Sequence, residues 1–122
     1  MSTPGDTGRS ERPWGWFETL AEGAGYRVKR LLIRSGQRIS LQRHSHRSEH
    51  WVVVAGSGVM ELDAQRISLE PGSVALIPVG AVHRAAAQLA DLEIIEVQRG
   101  DWLSEDDIER LADDFGRVKP GC

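Results

Sequence analysis

Four side chains in two separated stretches of this chain could together hold a divalent metal ion. The first stretch reads Gly36-x5-Gln42-x-His44-x4-Glu49-x6-Gly56, and after fifteen further residues the second reads Gly72-x5-Pro78-x-Gly80-x2-His83. Imidazole, carboxylate and an amide oxygen form a mixed nitrogen and oxygen donor set. Such a set suits Zn²⁺, Fe²⁺, Mn²⁺ or Ni²⁺ better than the thiophilic Cu(I). A single carboxylate among neutral ligands leaves the ion net positive and able to act as a Lewis acid. His46 and His50 lie close by and compete with Gln42 for a place in the set.

Strands can position these groups. Residues two apart on a strand point to the same side, so Gln42 and His44 share a face. Glu49 can join them from the next strand after a turn at Ser45–Ser48, and His83 would arrive from a strand distant in sequence but opposite in space. Strand signals recur along the chain: the aromatic run Trp14–Phe17, partial alternation from Tyr26 to Arg34, the β-branched run at Val52–Val54, Val74–Ile77 and Leu92–Gln98. Gly36, Gly56, Gly72 and Gly80 fall where the chain must turn, and Pro78 within an apolar run needs an edge or a corner. Only near the end does the period change. Ser104 followed by Glu105, Asp106 and Asp107 has the form of a helix N-cap with an acidic first turn. Ile108, Leu111 and Ala112 would share a helical face, and Gly116 would stop the helix. Many short strands with regular turn signals predict an all-β barrel or sandwich with a short C-terminal helix.

Composition sets the class. The 122 residues suffice for one packed core, so residues 12–117 are expected to be one domain between tails at 1–11 and 118–122. Apolar content of 40% and charged content of 27% are those of an ordinary globular protein. With 15 Lys and Arg against 18 Asp and Glu, the net charge of −3 gives no reason to expect a nucleic acid partner. No apolar run approaches the length of a membrane span. The polar start does not read as a signal peptide, and the single cysteine, Cys122, has no partner in its own chain. A cytoplasmic address is expected.

Other residues offer weaker signals. Trp14, Trp16 and Phe17 could stack on a sugar, or simply pack as a strand on the barrel exterior. Arg34, Arg43 and Arg47 crowd the first motif and could meet a phosphate, or could be solvated edge charges. Asp106, Asp107, Asp113 and Asp114 read as helix-dipole and solubility charges. Glu96 on the late strand could serve as a general base if partly buried, or could face outward.

The spacing of the two motifs resembles that of cupin barrels, the double-stranded β-helix or jelly-roll fold, with glutamine where the first histidine usually stands. A narrower resemblance is carried by Arg12-Pro13-Trp14-Gly15, Val28-Lys29-Arg30-Leu31, the run from Leu41 to Val54, Glu93 to Gln98, Gly100 to Arg110, and Asp114-Phe115-Gly116-Arg117. These blocks resemble the C-terminal cupin domain of type II mannose-6-phosphate isomerases. The resemblance implies a metal-dependent aldose–ketose isomerase acting on mannose 6-phosphate and fructose 6-phosphate. It implies Zn²⁺, or else Mn²⁺, Fe²⁺, Co²⁺ or Ni²⁺, held by Gln42, His44, Glu49 and His83. Lys29 and Arg117 become candidates for binding the phosphate or stabilising charge, beside Glu96 as base. A homodimer is expected because small cupins pair through sheet edges. Type II enzymes usually carry a guanylyltransferase domain as well; no nucleotide-binding segment precedes the barrel, so GTP chemistry is not expected. The rival readings are a non-catalytic sugar-phosphate-binding cupin and another metal cupin enzyme, a dioxygenase or an epimerase.

Overall fold

A computed structural model of the chain describes residues 8–118; Cys122 lies outside them. Eleven strands follow in order: β1 (Arg9–Arg12), β2 (Gly15–Gly23), β3 (Tyr26–Ile33), β4 (Leu41–Arg43), β5 (Arg47–Ala55), β6 (Gly58–Leu62), β7 (Gln65–Leu69), β8 (Val74–Ile77), β9 (His83–Ala87), β10 (Leu92–Gly100) and β11 (Glu109–Ala112). They form a six-stranded sheet, β1-β2-β3-β10-β5-β8, and a five-stranded sheet, β11-β4-β9-β6-β7, with every named pair antiparallel. The two inner faces share one core, in which Leu31, Ile33 and Val53 of the larger sheet meet Met60, Leu69 and Ala85 of the smaller. This is the cupin barrel expected from the motifs.

The inner face of the larger sheet explains how a small barrel holds both a core and a cavity. Its cross-strand rows change character along the strands. Leu31, Ile94 and Val53 form an apolar row. The next row is Lys29, Glu96 and Trp51, and beyond it Gln98 stands beside Glu49, all of them buried. The same period-2 alternation that buries Leu92 and Ile94 carries Glu96 and Gln98 inward. One end of the barrel is therefore packed with hydrocarbon and the other is lined with polar groups.

Two expectations about the chain ends fail. Residues 9–11, expected in the tail, are strand: β1 pairs with β2 from Arg9↔Glu18 to Arg12↔Gly15 and covers that edge of the sheet, while residues 1–7 and 119–122 lie outside the described residues. Among the described residues there is no helix, and the predicted one is replaced by β11, paired with β4 through Arg110↔Gln42. Local capping does occur, because Ser104 Oγ accepts from Asp106 N at 3.0 Å and Ser104 O from Asp107 N at 3.1 Å. It stops after one turn. A helix of this length is marginal by itself, and the open edge of β4 offers Glu109–Ala112 a ladder instead.

Candidate metal centre

The second motif reaches the first through its corner. Gly80 takes a left-handed φ of 81°, which costs glycine little, and its N–H donates to His44 O at 2.8 Å. Three residues later His83 opens β9 directly across the ladder from Gln42. His83 is thus beside Gln42 in the same sheet, not opposite it. Glu49 is the residue that comes from the facing sheet, on β5.

His44, Glu49 and His83 are all buried, and their donor atoms lie within 4.8 Å of one another. Glu49 Oε2 is 3.3 Å from His44 Nε2, and Glu49 Oε1 is 3.6 Å from His83 Nε2. The tautomers follow from the other ring nitrogens. His44 Nδ1 lies 2.7 Å from Asp107 O and His83 Nδ1 lies 3.0 Å from Ala81 O, so both Nδ1 atoms carry the hydrogen and donate it to a carbonyl. Both Nε2 lone pairs then turn toward a carboxylate that has only lone pairs to offer, although that of His44 also accepts from Arg47 Nη2 at 3.3 Å. His83 Nε2 is buried with no hydrogen-bond partner. Acceptors converging on acceptors fit a cation between them, and backbone-anchored imidazoles are the usual way to hold one. The donors match a divalent ion.

The electrostatics agree. Burial pushes the His44 imidazole down to about 4, and Arg47 adds to this although Glu49 opposes it. His44 is therefore neutral near pH 7, the form that ligates. Burial by itself would raise Glu49, but His44, His83 and Arg47 outweigh it and hold the carboxyl below its ordinary range. Arg47 Nε donates to Glu49 Oε2 at 2.8 Å, and Trp51 Nε1 is shared between Glu49 Oε1 at 3.1 Å and Glu96 Oε2 at 3.0 Å. Gln98 Nε2 donates to Glu96 Oε1 at 2.8 Å. Burial first, and then the negative charge of Glu49, push the Glu96 carboxyl well above its usual range.

Most of these groups line a cavity of about 80 Å³ that opens to solvent. Gln42, His44, Glu49, Lys29, Glu96 and Arg117 all line it, whereas His83 does not and joins the site through its approach to Glu49. Lys29 is buried, donates to the Glu105 carboxylate, and sits 4.1 Å over the Phe17 ring. Arg117 lies at the mouth, where its Nε and Nη2 donate to the two oxygens of Asp113 at 2.7 and 3.1 Å. The competitors of Gln42 lie elsewhere. His46 is exposed and packs edge-on against Trp102 at 5.1 Å, while His50 is on the outer side of β5, in register with Val97 and Leu76.

Several other readings change. Trp14 and Phe17 line the cavity, whereas Trp16 turns outward between the guanidinium groups of Arg9 and Arg30. Arg47 belongs to the site, but Arg34 and Arg43 pair at the surface with Glu11 and Glu109. Asp107 is not a helix charge. It is buried, and its carboxylate oxygens accept from Ser45 N at 2.8 Å and His46 N at 2.9 Å while its carbonyl anchors His44. Asp113 holds Arg117, and Asp114 grips Arg38 at 2.7 and 2.8 Å. Gln98 and Asp107 carried no signal of their own; for Gln98 the alternation begun at Leu92 would have sufficed.

Comparison with known proteins gives the site its setting. The family profile described as mannose-6-phosphate isomerase C-terminal matches residues 7–113. The chain is 44% identical over 108 residues to the alginate biosynthesis protein AlgA of Pseudomonas aeruginosa, covering 88% of this chain and 22% of that protein. It is 42% identical over 108 residues to the mannose-1-phosphate guanylyltransferase of Escherichia coli, covering 88% of this chain and 23% of that protein. The chain thus spans less than a quarter of the length of these two relatives. Among solved structures, KdgF from Halomonas sp. superposes with a TM-score of 0.74 at 19% identity, over 80% of this chain and 88% of that one. A cupin-2 domain from Rhodospirillum rubrum superposes with a TM-score of 0.65 at 18% identity, over 75% of this chain and 67% of that one. At such identities the likeness concerns the fold. No helix of the described residues is long and apolar enough to cross a membrane. A barrel of this topology, a three-donor cluster built from the paired motifs, and a profile match over most of the chain place the protein in the mannose-6-phosphate isomerase C-terminal family of cupins.

Proposed function

We propose that this chain is a metal-dependent aldose–ketose isomerase that interconverts mannose 6-phosphate and fructose 6-phosphate. The observation that carries the reading is a three-donor cluster joined through Trp51 Nε1 to a second buried carboxyl, Glu96, on the floor of an open cavity. Gln42, His44, Glu49 and His83 would hold the ion, with Zn²⁺ the preferred occupant. A bound divalent cation supplies the positive charge that polarises a carbonyl and its neighbouring hydroxyl.

The chain's own groups do the rest. Isomerisation moves one proton between adjacent carbons and another between their oxygens. Glu96, whose raised proton affinity suits exchange near neutral pH, takes the proton from one carbon and returns it to the other. Gln98 and Trp51 fix its two oxygens, so the carboxyl meets the substrate in one orientation. Lys29 stands in the same cross-strand row as Glu96 and stabilises oxygen charge that develops during transfer. Glu105 balances that ammonium between turnovers. Arg117 contributes positive charge at the mouth, where a phosphate would lie.

The test is conversion of mannose 6-phosphate to fructose 6-phosphate with added Zn²⁺, Mn²⁺ or Co²⁺, and again with chelator. Metal-dependent turnover is expected. Stoichiometric metal and sugar-phosphate binding without turnover by any metal would replace the isomerase with a binding module.

A further inference from the structure

The cations around the cavity are unevenly matched. Lys29 is taken by Glu105, Arg47 by Glu49 and Arg117 by Asp113. Arg12 and Arg110 also line the cavity, and among the described residues neither has a carboxylate within ion-pair distance. Arg12 Nη1 donates to the neighbouring Glu11 carbonyl at 2.9 Å, and its guanidinium lies 4.8 Å over Phe17. Glu105, whose charge Arg12 also feels, is occupied by Lys29. Arg110 Nε is buried with no hydrogen-bond partner. Burial disfavours the charge on Arg110, and the like charges of Arg117 and Arg12 disfavour it further, with Asp113 the opposing acid. A folded chain does not gather guanidinium groups around a buried, unsatisfied donor for stability.

The strand register places this cluster relative to the floor. Arg110 faces Gln42 across the β11–β4 ladder, and Gln42 faces His83 across the β4–β9 ladder. Two ladder steps put Arg110 about 10 Å from His83 along the sheet. A six-carbon chain reacting at one end and carrying a phosphate at the other spans that interval once the reach of the arginine is included. Two guanidinium groups without ion-pair partners also match the charge of a phosphate monoester near pH 7, about −2, and guanidinium forks match its oxygens.

We infer that Arg12 and Arg110, with Arg117 held beside them by Asp113, form a phosphate-monoester subsite at the cavity mouth, separate from the metal-ligating floor. The identity of the remaining ligand rests on the isomerase reading; the anion subsite does not. Lys29 is assigned to the floor and not to the phosphate.

Calorimetric titration with inorganic phosphate tests this on the metal-loaded full chain and again after chelation. Wild type is expected to bind phosphate in both states. Arg110→Gln and Arg12→Gln, each checked for an unchanged thermal transition, should each weaken phosphate binding by about tenfold to a hundredfold. Each should raise the KM for mannose 6-phosphate by a similar factor while kcat changes less, and Arg110→Lys should recover part of the loss. Phosphate binding that vanishes on chelation, or that both glutamine variants leave intact, overturns the subsite. The two readings fail separately. Arginine-dependent phosphate binding without turnover keeps the subsite and removes the isomerase, whereas turnover with unchanged KM and phosphate binding in the variants does the reverse.

Discussion

The floor of the cavity and its mouth are built by different parts of the chain and follow different electrostatic rules. The floor comes from the middle of the sequence, where β4, β5 and β9 bring together His44, Glu49 and His83. Its charges close on one another: Glu49 lies against Arg47 and both imidazoles, and its second oxygen shares Trp51 Nε1 with Glu96. The mouth comes from the two ends, β1 and β11 with the segments beside them, and its arginines outnumber their partners. A closed cluster holds its geometry in the absence of substrate, as a site for a permanent ion requires. An under-compensated cluster gains most when an anion arrives. The contrast therefore separates positions that should decide whether chemistry occurs from positions that should decide which molecule is held.

Breaking the floor should have the largest effect. His83→Ala and Glu49→Gln are expected to leave the purified protein short of stoichiometric metal by elemental analysis, with turnover down by at least about 10³-fold, since the ion's charge is lost. Gln42→Ala should lower metal content less. Full metal content in both Gln42→Ala and His83→Ala would show that the ligands have been misassigned. Glu96→Gln is the next step down. Turnover should fall by about 10² to 10⁴ while bound metal is unchanged, the separation expected of a proton carrier. Parallel loss of metal would instead make Glu96 part of the cation's own environment.

Asp107 links the two regions, because it stands in the loop before β11 yet fixes His44 and the Ser45 and His46 amides. Asp107→Ala leaves two N–H groups without their acceptor and should cost about 1–3 kcal/mol of stability. Metal affinity should fall by no more than about 10-fold, because the carbonyl that holds His44 Nδ1 is main chain and only its loop is loosened. A thermal melt and a metal titration on the same sample distinguish a loop anchor from an anchor for the ligand.

The smallest expected effect concerns the rim. Burial would raise the Asp113 carboxyl, but the bonds from Arg117 outweigh it and hold the group below its ordinary value. A carboxyl depressed in the folded state adds stability that is fully present above its unfolded pKa, about 3.9. That stability is lost as the pH falls through the lower folded value. The Asp113–Arg117 pair should therefore survive at pH 5 and give way only in stronger acid, with a contribution of about 1 kcal/mol or less. Acid melts of wild type and Asp113→Asn should converge at low pH and separate above pH 4. Separation in the opposite direction would mean that the pair does not form in solution.

The metal floor was legible because its chemistry and its turns are both local. Gln42 and His44 are two apart, with His44 just past the end of β4, Gly80 marks the corner before His83, and β-branched residues mark β5. Burial of Glu96 was open until the alternation from Leu92 through Ile94 was seen to continue inward. The ends were misread for a physical reason. The run from Ser104 to Ala112 has a cap, an acidic first turn and helical apolar spacing, and local propensity can see nothing else. Its strand state depends on the open edge of β4, some seventy residues earlier in the chain, whose unpaired backbone groups gain a partner when β11 docks. Arg9–Arg12 carries even less local signal and becomes a strand only because β2 offers an edge.

The sequence by itself determined an all-β barrel of the cupin kind and a donor set able to hold a divalent ion, through strand periodicity, glycine corners and the donor types at fixed spacing. Only the tertiary structure decided that His83 lies beside Gln42, that Asp107 anchors His44, and that Arg12 and Arg110 line one cavity without an ion pair of their own among the described residues. Periodicity specifies which way a side chain points. Which charges end up as neighbours, and which are left unmatched, is settled by edge pairing between segments far apart in the chain.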